Sequence, residues 1–185
     1  MPAPVAADRI LDAVLDVWRE RGYEAATTAE IARRAGIGEV TLFRRYDDKA
    51  GLFAAALVRE ASSLRDGAPA LSGDVDADLL AVATAYDGMV ARNAAIIIDF
   101  LSFAPSVEGL AALAPSPLIA INQLARVIEY HQSTGTLAGD EPHTELAELL
   151  GPILLKRLLA EAQPGLTLTN DLDSLVAKFL NGRRA

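Results

Sequence analysis

Residues 27–49 read Thr27-Thr28-Ala29-Glu30-Ile31-Ala32-Arg33-Arg34-Ala35-Gly36-Ile37-Gly38-Glu39-Val40-Thr41-Leu42-Phe43-Arg44-Arg45-Tyr46-Asp47-Asp48-Lys49, and their punctuation decides the fold. Thr27 followed three residues later by Glu30 has the spacing of a capping box, so a helix of about two turns is expected over Thr28–Ala35. Gly36-Ile37-Gly38 breaks it, and a second short helix is expected over Glu39–Tyr46. Asp47 or Asp48 then caps a longer helix to about Arg65. Upstream, Ile10, Leu11, Val14, Val17 and Trp18 recur at helical spacing, with Asp12, Asp16, Arg19 and Glu20 opposite. That predicts a first helix over about Val5–Arg21, stopped by Gly22, which reaches the left-handed region without steric cost. Two short helices joined by a glycine turn and buttressed by a longer one form a helix-turn-helix.

On the third helix Leu42 and Tyr46, four apart, are expected to face inward with Ile37. Val40, Thr41 and Arg44 then project outward, flanked by Phe43 and Arg45. Arginine can read guanine, and a methyl-bearing side chain can meet the thymine methyl, so this set suits base edges in a major groove. Thr28, in the first turn of the second helix, can hold a phosphate through its hydroxyl and the free amides there, and Lys49 can reach the same backbone. Runs of arginine often only solvate a helix. Within this motif Arg44 and Arg45 are expected to meet DNA, while Arg33 and Arg34 stay open between the two readings.

Thr27-Thr28-Ala29-Glu30-Ile31-Ala32, Ala35-Gly36-Ile37-Gly38, Thr41-Leu42-Phe43-Arg44-Arg45-Tyr46, and Lys49 with Leu52-Phe53 together resemble the TetR family of transcriptional regulators over about residues 8–57. The resemblance implies a three-helix DNA-binding head joined through helix four to a larger helical ligand-binding and dimerisation domain. Carried over by motif position, it implies that Thr28, Gly38, Arg45 and Lys49 hold phosphates and that Glu39, Val40, Thr41 and Arg44 face bases. Three positions depart from the pattern. Family members often have Ser where Gly38 stands, a basic or small polar residue at Glu39, and Tyr at Phe43. Phe43 has no hydroxyl for a phosphate; Glu39 would repel one, although it could accept from a cytosine amino group.

The chain has 185 residues, enough to bury about 70% of its extended surface without covalent staples. It has 35 Ala and 27 Leu, aromatic residues are only 5%, and no strand-like alternation appears, which predicts an all-α fold of about nine helices. The absence of cysteine excludes disulfides, thiolate zinc sites and a cysteine nucleophile. Two histidines, His131 and His143, do not suggest a metal site, and no cofactor is implied. No apolar run approaches the ~20 residues of a membrane span, and Asp8, Arg9 and Asp12 stand where a signal peptide needs an unbroken apolar stretch, so a cytoplasmic protein without a membrane partner is expected. The formal charge is −8, but it divides unevenly: residues 1–60 hold 9 basic and 10 acidic side chains, and residues 61–185 hold 8 and 15. Residues 33–49 are net positive, with 5 basic against 3 acidic, so the total does not argue against DNA.

A head over residues 1–50 and a helical domain over 51–185 are expected. After a polar loop through Asp78, a helix is expected over about Val75–Arg92, and a separate one over Asn93–Phe103, apolar nearly all round except Asp99 and therefore buried. Further helices are expected over about Leu118–Ser133, Glu141–Ala162 and Asn170–Asn181. Asp99 either lies at the rim or pairs with Arg92 or Arg126, or it faces a ligand cavity with Tyr86, Phe100, Phe103 and His131. His131 could equally serve its helix C-terminus. The last two helices carry stripes including Leu146, Leu150, Ile153, Leu172, Leu175, Val176 and Phe179, wider than a small domain can hide. They resemble the family's dimerisation helices, which pack as a four-helix bundle across a twofold axis. The function expected is a repressor that binds a palindromic double-stranded DNA operator as a homodimer and is released by a small-molecule effector. The alternative is a helical protein–protein adaptor that has lost operator binding. No paired carboxylates, supported Ser-His set or phosphate loop suggests an enzyme.

Overall fold

The computed structural model describes residues 4–66, 70–103, 116–163 and 165–184, with side chains over 7–62, 70–102, 121–163 and 165–184. Among the described residues there are eight helices: α1 (Pro4–Ala25), α2 (Thr28–Ala35), α3 (Glu39–Tyr46), α4 (Lys49–Asp66), α5 (Val75–Phe103), α6 (Ser116–Ser133), α7 (Pro142–Ala162) and α8 (Leu172–Leu180). The fold is all-α, and none of these helices is long and apolar enough to cross a membrane. The chain forms two compact units. One is Met1–Ala61 with Ala95–Pro117, and the other is Ser62–Ala94 with Leu118–Ala185.

In the first unit the apolar stripe of α1 is buried as its period requires. Ile10, Val14, Val17 and Trp18 pack with Ile31, Leu42, Leu52, Phe53 and Ile96. The rings of Trp18, Tyr23 and Phe53 form a tilted cluster with centroids 4.8 to 6.1 Å apart. Gly22 breaks α1 at φ 74°, ψ 167°, and a last turn resumes to Ala25. The Thr27 hydroxyl accepts from the Glu30 amide at 3.2 Å, which caps α2. At its other end Gly36 adopts φ 69°, and the Ile37 and Gly36 amides donate to the Ala32 and Arg33 carbonyls at 3.0 and 3.2 Å, a Schellman motif. Ile37 thereby packs against the core. Asp48 accepts from the Gly51 amide at 2.7 Å and caps α4. This core does not end near residue 50, because Leu52, Phe53 and Ala56 of α4 complete it.

Two expectations are corrected in α5. Val75–Arg92 and Asn93–Phe103 form one continuous helix of 29 residues, since no proline interrupts it and the helix runs on through Gly88. Nor is its apolar end buried all round: Ile96 is buried, Ile97 and Ile98 are half-buried, and Leu101 is 63% exposed.

The second unit buries Leu79, Val82 and Val90 of α5, Leu124 and Ile128 of α6, Leu146, Leu149 and Ile153 of α7, and Val176 and Phe179 of α8. Helices α7 and α8 pack together. Three polar clamps fasten the elements. Asp87 of α5 receives Arg157 of α7 at 2.8 and 2.5 Å and Asn170 at 2.6 Å. Glu145 accepts from Arg183 at 2.7 Å, while Asp78 accepts from the Ser72 amide and hydroxyl at 2.8 and 2.6 Å. Asp171 caps α8 through the Ser174 amide at 3.0 Å.

Candidate nucleic-acid interface

Helix α3 keeps one residue, Leu42, fully inside and turns most of the rest outward. Val40 is 83% exposed and Phe43 40%, while Gly38, Glu39, Arg44 and Arg45 are also exposed and Thr41 is half-buried. An apolar residue left this open on a two-turn helix contributes nothing to the core. Its burial must come from another molecule, if it comes at all.

The arginines separate by their partners. Arg33 donates to Glu30 at 2.9 and 2.8 Å, and Arg34 donates to Glu30 at 2.8 Å and to Glu20 at 2.8 and 2.6 Å. The hydrogen bonds from Arg33 and then Arg34 pull the Glu30 carboxyl down to about 2. Arg59 is held by Asp12 at 2.5 Å and by the Asp8 carbonyl at 2.9 Å. Among the described residues, Arg44 and Arg45 have no carboxylate partner; the Arg45 guanidinium lies 5.6 Å from the Tyr46 ring centroid. Pairing with Glu30 and Glu20 is neither of the two readings left open for Arg33 and Arg34.

Lys49 sits at the start of α4 with its ammonium 4.5 Å from the Tyr23 ring centroid, donating to the Glu24 carbonyl at 3.2 Å. Desolvation against those rings lowers its pKa, and the Glu24 carboxylate opposes the shift. Thr28 is half-buried, and its hydroxyl donates to the Glu39 carboxylate. Sequence reasoning treated these two side chains separately; eleven residues apart, only the packing of α2 on α3 joins them. Gly38 is the N-cap of α3 at φ −78° with no side-chain cap, and a Cβ there would meet nothing within 4 Å.

The residues proposed for a ligand cavity are placed differently. Asp99 accepts from the Trp18 indole and from the Tyr23 amide, each at 2.6 Å, which anchors it to the end of α1. Phe100 packs against the core of the first unit. His131 is fully buried in the second unit, its ring nitrogens 2.9 Å from Thr136 and 2.9 Å from Asp78. Tyr86 is buried in that unit, and burial raises the pKa of its phenol. The side chain of Phe103 lies outside the described residues.

The stripes expected at a dimer interface are used largely within the chain. Leu146, Leu150, Ile153, Val176 and Phe179 are buried there, and Leu172 and Leu175 are half-buried. What α7 exposes is its other side, Gly151, Pro152, Leu155 at 59% and Leu159 at 39%. A stripe marks which residues are buried somewhere, not whether the partner is the same chain or another.

Residues 10–56 match the model of the bacterial regulatory proteins, tetR family. Over 76 residues the chain is 40% identical to YvkB, an HTH-type transcriptional regulator of Bacillus subtilis. That stretch is 41% of this chain and spans only 40% of the length of YvkB. Along nearly all of its length the chain has the fold of solved structures. These include the flavonoid-responsive regulator FrrA, with TM-score 0.72, 23% identity and 98% of both chains covered. A TetR-family regulator from Mesorhizobium loti superposes with TM-score 0.75 at 15% identity over 100% of both chains. Residues 10–56 thus carry the helix-turn-helix found in the bacterial regulatory proteins of the tetR family, and the chain spans less than half the length of the curated regulators it matches.

Proposed function

We propose that the protein is a cytoplasmic repressor that binds a palindromic double-stranded DNA operator as a homodimer and leaves it when a small-molecule effector binds. The observation that carries the reading is the division of the arginines. Arg33, Arg34 and Arg59 are neutralised within the chain, while Arg44 and Arg45 stand exposed beside Val40 without a carboxylate partner among the described residues. Val40, Thr41 and Arg44 read base edges; Thr28, Gly38, Phe43, Arg45 and Lys49 sit against the backbone. Two heads about one helical turn apart match a palindrome, which requires a twofold dimer. The exposed α7 face of Gly151, Pro152, Leu155 and Leu159 suits that dimer, because small and apolar residues let two helices approach closely.

Response to an effector is supported by the name of FrrA, whose fold spans nearly the whole chain. Of the residues first considered, Tyr86 remains the candidate contact in the second unit; Asp99, Phe100 and His131 are already committed to neighbours. The test is a gel shift against the DNA upstream of the protein's own gene at about 50–100 mM salt. Retardation is expected, and Arg44→Ala with Lys49→Ala should weaken it roughly 100-fold or more, since a phosphate-contacting cation and a base-contacting one are lost from each head. Absence of retardation by the wild-type protein would defeat the repressor reading and favour the adaptor.

A further inference from the structure

The Thr28 hydroxyl is spent on this chain's own carboxylate. It donates to Glu39, the one acidic residue in the first turn of α3. A threonine hydroxyl has a single hydrogen, so it cannot donate at once to Glu39 and to a DNA phosphate. Glu39 has no arginine to neutralise it: Arg33 and Arg34 are taken up by Glu30 and Glu20, and Arg44 and Arg45 have no carboxylate partner among the described residues. The carboxylate is exposed, next to Val40, the most open large apolar side chain among the described residues, and one turn before Arg44. A phosphate approaching Thr28 therefore meets an anion already bound to the donor it needs.

Resting on the DNA-binding reading above, we propose that Glu39 is the specificity-determining residue of the head. It withholds the Thr28 hydroxyl from phosphate until a cytosine amino group gives its carboxylate a better donor. In the major groove cytosine presents an amino donor with no acceptor beside it on the same base, whereas adenine places the N7 lone pair next to its amino group and thymine and guanine present acceptors. On a cytosine the carboxylate turns to the base and Thr28 turns to the phosphate, so both polar groups are satisfied. On any other base the carboxylate either keeps Thr28 or is forced against an acceptor, the adenine N7 beside its amino group included, and binding is weakened. The same residue that departs from the family's usual basic or small polar side chain thus suppresses binding to unrelated DNA.

The experiment begins with selection of tight-binding duplexes from a randomised pool by the full-length wild-type protein. Fluorescence anisotropy at about 100 mM salt then measures wild type, Glu39→Ala, Glu39→Gln, Thr28→Val and the Thr28→Val/Glu39→Ala double variant. The probes are the selected duplex, the same duplex with its C·G pair changed to T·A, and an unrelated duplex. The wild type is expected to select a cytosine at one fixed position in each half-site and to lose roughly 5–100-fold on the changed duplex. Glu39→Ala should bind the unrelated duplex about 3–10-fold more tightly and should discriminate less than about 3-fold between the two specific duplexes. Glu39→Gln should fall between them, and Thr28→Val should abolish the gain that Glu39→Ala brings. Retention of the cytosine preference by Glu39→Ala, or weaker binding of the unrelated duplex by it, overturns the proposal while leaving the DNA-binding reading intact. Failure of the wild type and every variant to bind any duplex overturns both.

Discussion

At the scale of single residues, the tightest constraint in the head is where α3 gives way to α4. Asp47 adopts φ 58°, ψ −61°, and the Asp48 amide donates to the Tyr46 carbonyl at 2.6 Å, which closes a strained three-residue turn. That same carbonyl oxygen lies 2.6 Å from where a Cβ on Gly51 would sit. Gly51→Ala must therefore move backbone and should destabilise the protein by roughly 1–3 kcal/mol. Gly38 is the contrasting case, with φ in the ordinary region, open space around its Cα and an uncapped α3 behind it. Gly38→Ser should stabilise by about 0.5–1 kcal/mol, through the added cap and the lower entropy of the unfolded chain. Urea denaturation of the two variants checks both signs. By sequence Gly38 falls in a helix break and Gly51 is not singled out; the backbone and its neighbours separate the two.

At the scale of elements, two helix-to-helix clamps carry measurable weight. Asp99 near the end of α5 gathers the Trp18 indole and the Tyr23 amide beside the kink at Gly22. Asp99→Ala leaves two part-buried donors without their acceptor and should cost about 2–4 kcal/mol, whereas Asp99→Asn keeps an oxygen and should recover most of it. Trp18 is the only tryptophan in the chain, so its emission reports the change directly. An Asp99→Ala protein with unchanged stability and emission would show that the carboxylate is dispensable. In the second unit Asp87 ties α5 to α7, and the hydrogen bond from Arg157 lowers its pKa, with Asn170 adding to the effect and desolvation opposing it. A folded-state pKa below the unfolded value, about 3.9, stabilises the fold above that pH, and the contribution is lost as pH falls through the lowered value. Stability should therefore decline as pH drops through the lowered value, and Asp87→Asn, which lacks that titration, should flatten the loss of stability below about pH 4. Melting temperatures between pH 3 and pH 7 measure that difference in slope.

At the scale of the whole molecule, charge and assembly decide behaviour. The acidity sits mainly in residues 61–185, and pairing within the head takes Arg33, Arg34 and Arg59 out of play. The positive surface left for DNA is thus small, and affinity per head should be modest and salt-sensitive, which makes a second head valuable. On the proposed dimer, Leu155→Glu with Leu159→Glu should give monomers in sedimentation without loss of helical content, because both side chains are exposed in the single chain. An unchanged sedimenting mass would place the interface elsewhere.

Much of this was legible in the order of residues 27–49 alone. The Thr27 cap, the Gly36 turn and the placement of Leu42 inside and Val40 and Arg44 outside are local, set by hydrogen bonds and helical periodicity within a few residues, and local chemistry is written along the chain. The partners of Asp99, the pairing of Arg34 with Glu20, the seat of Glu39 on Thr28 and the internal use of Leu146, Ile153 and Phe179 were not. Each depends on which groups meet across distances of 11 to 81 residues. A period shows that a helix has an apolar face or a charge, but only the packed chain decides what that face touches.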